Sequence, residues 1–339
     1  MIRAPAARRR RPALHRLGGA FLQAFPAIFL GAALWLPVRS VPAEPLDVAA
    51  DIAPVNSLVA QVMEGTGTPK LLLKAGSDPH HVQLRPSQIR LLRDARLIFR
   101  VGPELTPWLD EALARLGAGE KTVALLHVPG TRLLQGDGAH SRAPAHALAQ
   151  HAGEDSAGSR AAGTDPHAWL DPRNGALWLG VIAHELAARD PAHAGAYHAN
   201  AIRAKARLAA LETRMTARLA PLRGMGVIVS HDGYAYFATH FGIRILGAIE
   251  TGSGAPPGAA RIRKLRRLAG SGDVACILAE QGRNPARARV VAEGSGLPVI
   301  TLPDPAAGSL PTGPRLYAAL LEGLADAFAR CGGKDGLAE

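Results

Sequence analysis

Short apolar runs alternate with amphipathic stretches along most of this chain, the pattern of an α/β protein. In the first half the strand candidates are Leu46 to Ile52, Lys70 to Leu73, Leu97 to Val101 and Thr122 to Leu126, with helices starting near Pro54, Pro86 and Glu104. In the second half they are Val227 to Ser230, Ile243 to Ile249, Val274 to Ala279 and Val299 to Leu302, with helices near Asp232, Pro257, Asn284 and Pro314. Each half thus offers about four strands, enough for a small parallel sheet flanked by helices.

Between the halves, Asp190-Pro191 opens a run to about Leu222 in which Tyr197, Ala201, Leu208, Leu211, Met215, Leu219 and Leu222 recur at helical spacing before Gly224. Proline suits a first helical turn and glycine an exit. A helix of about 30 residues would be roughly 45 Å long. It reads as a rigid connector lying across both lobes, although an ordinary surface helix within one domain would show the same pattern. The expected division is therefore an N-terminal α/β lobe over 44–189, a connector helix over 190–223 and a C-terminal α/β lobe over 224–339. No internal sequence repeat is visible, yet the halves have the makings of similar folds.

Residues 1–43 stand apart. Arg8 to Arg11 and Arg16 form a positive start, Leu17 to Leu36 is apolar, and Val41-Pro42-Ala43 offers small residues for cleavage. This is the layout of a secretory signal peptide, with a membrane anchor as the alternative. Export also revises the charge. The formal +11 includes seven leader arginines and no leader acid, leaving 32 basic against 28 acidic residues. Nothing there points to a nucleic-acid partner; the densest basic stretch, Arg261 to Arg267, reads as a solvated helix face. The chain holds two cysteines, Cys276 and Cys331, and in an oxidising compartment they are expected to pair, two free buried thiols being the alternative. With no cysteine at the cleavage point to carry a lipid, the exported protein is expected to be soluble and periplasmic.

Residues 135–164 are rich in Gly, Ala and Ser, lack periodicity and include His140, His146 and His151. They read as a flexible surface loop whose histidines are either incidental or a weak auxiliary metal trap.

Three other histidines sit in distinctive frames: His80 in GSDPHHVQLRPSQ, His167 in TDPHAWLDPRNG and His231 in VSHDGYAYFATHFG. Each falls where a strand or its loop gives way to a helix. In open α/β sheets ligands bind outside the carboxyl ends of the strands. Asp304, after the last strand candidate, shares that position. Two histidines from the first lobe with one histidine and one carboxylate from the second would make a tetrahedral site suited to Zn2+. Taken singly, each histidine reads more readily as a structural or surface residue, and the neighbouring Asp residues as mere caps.

Other chemistry is poorly supported. Ser230-His231-Asp232 are adjacent in sequence, which is not triad geometry, and the GTGTP at Gly65 lacks the lysine and hydroxyl of a phosphate loop. A secreted zinc hydrolase would be expected to carry HExxH or a glutamate beside a ligand; Glu280 is the one weak candidate, so no enzyme activity is expected.

PHHVQLRPS, VGPELTPWLDEAL, DPHAWLDP, SHDGYAYFATHFGI, ILAE, LPDPAAG and LYAALLEGLADAFARC, in this order and spacing, resemble the zinc/manganese group of periplasmic solute-binding proteins that serve ABC importers, most closely its zinc-uptake members. The resemblance covers essentially the whole chain beyond the leader. It implies His80, His167 and His231 as ligands, Asp304 completing or adjoining the site, His81 as a non-ligand, Glu280 as a supporting acid between the lobes, and a Cys276–Cys331 bridge. It further implies Zn2+ as the transported ligand, with Mn2+ second because manganese-binding relatives tend to carry a carboxylate at the position of His231. The implied partners are a membrane permease with its cytoplasmic ATPase, and the protein itself is expected to be monomeric. Val82, Gln281-Gly282 and the longer DPAAG depart from the family pattern.

Overall fold

The computed structural model of the protein describes residues 45–74, 77–80, 82–136, 163–250, 257–281, 285–303 and 310–332. The leader, most of the histidine-containing loop, His81 and Asp304 lie outside the described residues. Among the described residues no helix is long and apolar enough to cross a membrane.

The first half runs β1 (Val48–Ala50), α1 (Ala53–Val62), β2 (Lys70–Leu71), α2 (Pro86–Asp94), β3 (Leu97–Arg100), α3 (Trp108–Arg115) and β4 (Thr122–Ala124). Its four strands pair in parallel in the order β2-β1-β3-β4. Both β1 and β3 are buried at every position, as expected of parallel strands covered by helices on both faces. The short ladder of β5 (Gln135–Gly136) with β6 (Gly163–Thr164) joins the two ends of the loop predicted over 135–164.

Two helices follow, α4 (Pro172–Arg189) and α5 (Ala194–Leu219), the latter flanked by 3-10 turns at Pro191–His193 and Ala220–Leu222. The periodicity predicts this second helix, and its buried face carries Tyr197, Ala201, Leu208, Leu211, Met215 and Leu219 as expected. Its 26 residues span roughly 39 Å. It packs on α4 and α1 of the first half and on the last helix of the second, as a connector lying across both would. Gly224 takes φ 78°, a left-handed turn that glycine makes without steric cost, and so closes the run. The pattern reading has no counterpart for α4. Asp171 caps it by accepting from Arg173 N, Pro172 opens it, and Trp178, Leu179, Ile182 and Leu186 face inward.

The second half runs β7 (Gly226–His231), α6 (Ala235–Phe241), β8 (Arg244–Glu250), α7 (Ala259–Ala269), β9 (Val274–Glu280), α8 (Pro285–Ala292), β10 (Val299–Leu302) and α9 (Leu316–Ala329). Its sheet is again parallel, in the order β8-β7-β9-β10. Numbered within each half, both sheets have strand order 2-1-3-4, so the halves repeat a topology without repeating a sequence.

One apolar cluster includes residues of both sheets, of α1 and of α5, and continues to Phe328 and Cys331. Two satellite clusters fill the outer faces, one under α2 and α3 and one under α7 and α8. Cys276 in β9 is bonded to Cys331 just past α9, with Cα atoms 5.3 Å apart, fastening the last helix to its sheet as expected.

Candidate metal centre

In each sheet the chain reverses its winding between the first and third strands, and the crevice at that switch opens at the carboxyl ends of the strands. His231 is the last residue of β7, and Glu280 ends the neighbouring β9. The two ends are tied together: Glu280 N donates to Ser230 Oγ at 2.9 Å, and Tyr234 Oη donates to Glu280 Oε1 at 2.5 Å.

His80 comes from the segment between β2 and α2. Its backbone N–H donates to Asp78 Oδ1 at 3.0 Å, and the Trp108 indole donates to the adjacent Pro79 carbonyl at 2.8 Å, so that the start of α3 braces the turn. His167 stands at the head of the Ala168–Leu170 3-10 turn that leads into α4. His167 and His231 are buried, while His80 is half-buried and faces outward more than its partners.

The three rings meet. Their centroids are separated by 5.5 Å for His80–His167, 5.9 Å for His80–His231 and 5.2 Å for His167–His231. One ring nitrogen from each can be chosen so that all three lie within 4.8 Å of one another. Among the described residues no other set of three His, Cys, Asp or Glu groups converges in this way. The two Nε2 atoms of His167 and His231 are 3.3 Å apart. Two nitrogens each about 2.0–2.1 Å from a tetrahedral ion stand about 3.3 Å from one another, so this pair already has the spacing a shared Zn2+ would impose.

Asp165, which pattern reading does not single out, decides which nitrogen of His167 faces its partners. Buried beside the ring, its Oδ1 accepts from His167 N at 2.9 Å and lies 2.8 Å from Nδ1. A carboxylate oxygen can only accept, so Nδ1 carries the proton and Nε2 presents its lone pair toward His231. The Trp169 ring lies against the same imidazole, 5.2 Å between centroids. The D-x-H spacing of TDPH is the signal that could have revealed this partner, since an Asp two residues before a histidine can reach both its backbone and its ring.

Asp51, the residue after β1, is fully buried and accepts from Ile52 N at 2.7 Å and Val101 N at 2.8 Å. Burial is the largest influence on it and raises its pKa to about 6, against the downward pull of those two N–H groups and of the Arg100 charge.

Comparison with known proteins adds to this geometry. Residues 48–331 match the family described as zinc-uptake complex component A, periplasmic. A high-affinity zinc uptake system protein of Paracoccus denitrificans is 40% identical over 321 residues, covering 91% of this chain and 98% of the relative. The corresponding protein of Brucella abortus is 32% identical, covering 84% and 91%. Among solved structures, a zinc-uptake component A crystal structure superposes with TM-score 0.70 at 23% identity over 85% of this chain and all of that one. A Mn2+ complex of the binding protein FpvC of Pseudomonas aeruginosa gives 0.71 at 21% identity over 84% and 98%.

Proposed function

Because the chain belongs to the periplasmic zinc-uptake complex component A family, we propose that it captures Zn2+ on His80, His167 and His231 and hands the ion to the permease of an ATP-driven importer. The observation that carries this reading is the meeting of three imidazoles from three distant segments, two of them at the spacing of a shared tetrahedral ion. The lobes in this reading are 44–189 and 224–339, joined by 190–223, with the leader removed on export to the periplasm. Asp304, outside the described residues, completes or adjoins the coordination in this reading. Fold neighbours include Mn2+ complexes, but three neutral imidazoles are a borderline donor set that suits Zn2+ better than the harder Mn2+.

Elemental analysis and chelator-competition titration of the protein without its leader test the reading. One tightly held Zn2+ per chain, with Mn2+ bound much more weakly, is expected. Protons compete with metal for imidazole, so affinity falls between about pH 7.5 and about pH 5.5. Zinc binding that survives His231→Ala unchanged would remove the case for this site.

A further inference from the structure

The turn that carries His167 ends at Asp171, and the helix that follows His231 carries His240. These two ends meet: His240 Nδ1 lies 2.8 Å from Asp171 Oδ1, with both side chains buried. The other ring nitrogen, Nε2, lies 2.8 Å from Glu212 Oε1 on α5. We propose that His240 is a positioning residue for metal binding, locking the His167 turn to the His231 helix and both to the connector. This rests on the metal-capture reading and identifies what sets the distance between two of its ligands.

The chemistry of the bridge is specific. Each ring nitrogen lies at hydrogen-bonding distance from a carboxylate oxygen, so one imidazole can bridge Asp171 and Glu212. Other charges face the group. Arg173 Nε faces both groups, 3.1 Å from His240 Nδ1 and 3.3 Å from Asp171 Oδ1. Arg132 Nη1 lies 3.6 Å from Asp171 Oδ2, and the Tyr317 phenol of α9 feels both Asp171 and Glu212. Burial is the largest influence on Asp171 and acts to raise its pKa, yet the hydrogen bonds from His240 and Arg173 N with the nearby positive charges outweigh it. The carboxylate is therefore held below its ordinary range.

Two further side chains of the second half grip the same turn. Tyr236 Oη donates to Asp165 O at 2.9 Å, and Tyr317 Oη donates to Trp169 O at 2.7 Å. His167 is thus held from three sides by residues beyond the connector, and His240 also reaches the connector itself through Glu212.

The test compares His240→Ala, His240→Asn and His240→Gln in the protein without its leader, by chelator competition for Zn2+ and by the visible spectrum of bound Co2+. Asparagine places its amide nitrogen near Nδ1 and can keep the Asp171 contact, whereas glutamine places it near Nε2 and can keep that to Glu212. Alanine is expected to weaken Zn2+ binding by about tenfold or more and to alter the Co2+ bands. Asparagine is expected to restore more of both than glutamine. Parent-like affinity and Co2+ spectrum in His240→Ala, or glutamine matching asparagine, would overturn the proposal. If the alanine variant fails to fold, the asparagine–glutamine contrast still decides. A parent protein that binds no Zn2+ is a different result, and sinks the capture reading instead.

Discussion

Removing the Asp165 carboxylate tests the metal centre at its least visible part. In Asp165→Ala the 2.8 Å contact to His167 Nδ1 disappears and the ring loses the partner that selects its tautomer. A proton on Nε2 would then face the metal position, and that population cannot bind until it rearranges. Outer partners of metal-binding histidines typically contribute 10- to 100-fold in affinity, or about 1.4–2.7 kcal/mol. The buried backbone N–H of His167 also loses its acceptor, which lowers the stability of the metal-free protein by about 1–3 kcal/mol. Asp165→Asn separates the two effects. Its carbonyl oxygen can still accept from Nδ1, but a neutral acceptor is roughly half as strong as a charged one, so the loss should be smaller than for alanine. Chelator competition at constant pH measures the affinities, and the nitrogen chemical shifts of His167 in the metal-free protein report the tautomer. An alanine variant with parent-like affinity, or an asparagine variant weaker than alanine, would refute the tautomer argument.

Three further outcomes are expected. Replacing both Cys276 and Cys331 by alanine should lower stability to denaturant by about 4 kcal/mol in the chain-entropy model for a separation of 55 residues, with Zn2+ affinity unchanged because Cys276 sits within β9 and not at its end; an equally stable variant would count against the bridge as a staple. Asp51, with its folded pKa raised from 3.8 to about 6, contributes stability that is full below about pH 4 and lost as pH rises through 6, about 3 kcal/mol in all. Urea unfolding across that window should show this slope in the parent and not in Asp51→Asn, and parallel curves would reject it. Because one apolar cluster joins both sheets and α5, zinc loading should leave the radius of gyration measured by X-ray scattering nearly unchanged, and a large contraction would mean that the shared core opens.

The strands were legible because parallel strands covered on both faces read as uninterrupted apolar runs, and Val299–Leu302 appears with the bounds its pattern predicts. Several bounds shift, two of them for clear local reasons. The strand read to Leu126 stops at Ala124, where Leu125–His127 tightens into a 3-10 turn. The helix read from Glu104 begins at Trp108, after Pro103 and Pro107. Helix α4 has a readable apolar face in Trp178, Leu179, Ile182 and Leu186, but Gly175 and Gly180 weaken its propensity, and its Asp-Pro opening reads as part of the histidine motif. Tertiary packing on α1 and α5 supplies what propensity lacks.

The candidate site divides along a different line. Histidines in three distinctive frames, each near the end of a strand, were enough to nominate His80, His167 and His231, because residue type and topological position are both properties of the linear pattern. Orientation is not. Nothing in TDPH distinguishes an aspartate that caps a turn from one that also holds the ring, and nothing in ATHFG says that His240 reaches back across the connector to the residue that closes the His167 turn. Those contacts join positions 64 or more residues apart, or depend on a ring rotation, and they decide which lone pair meets the ion. The histidines of such a cluster are therefore readable well before the residues that orient them. Substitutions at Asp165 and His240 are the ones that separate a true metal centre from three histidines that merely lie close together.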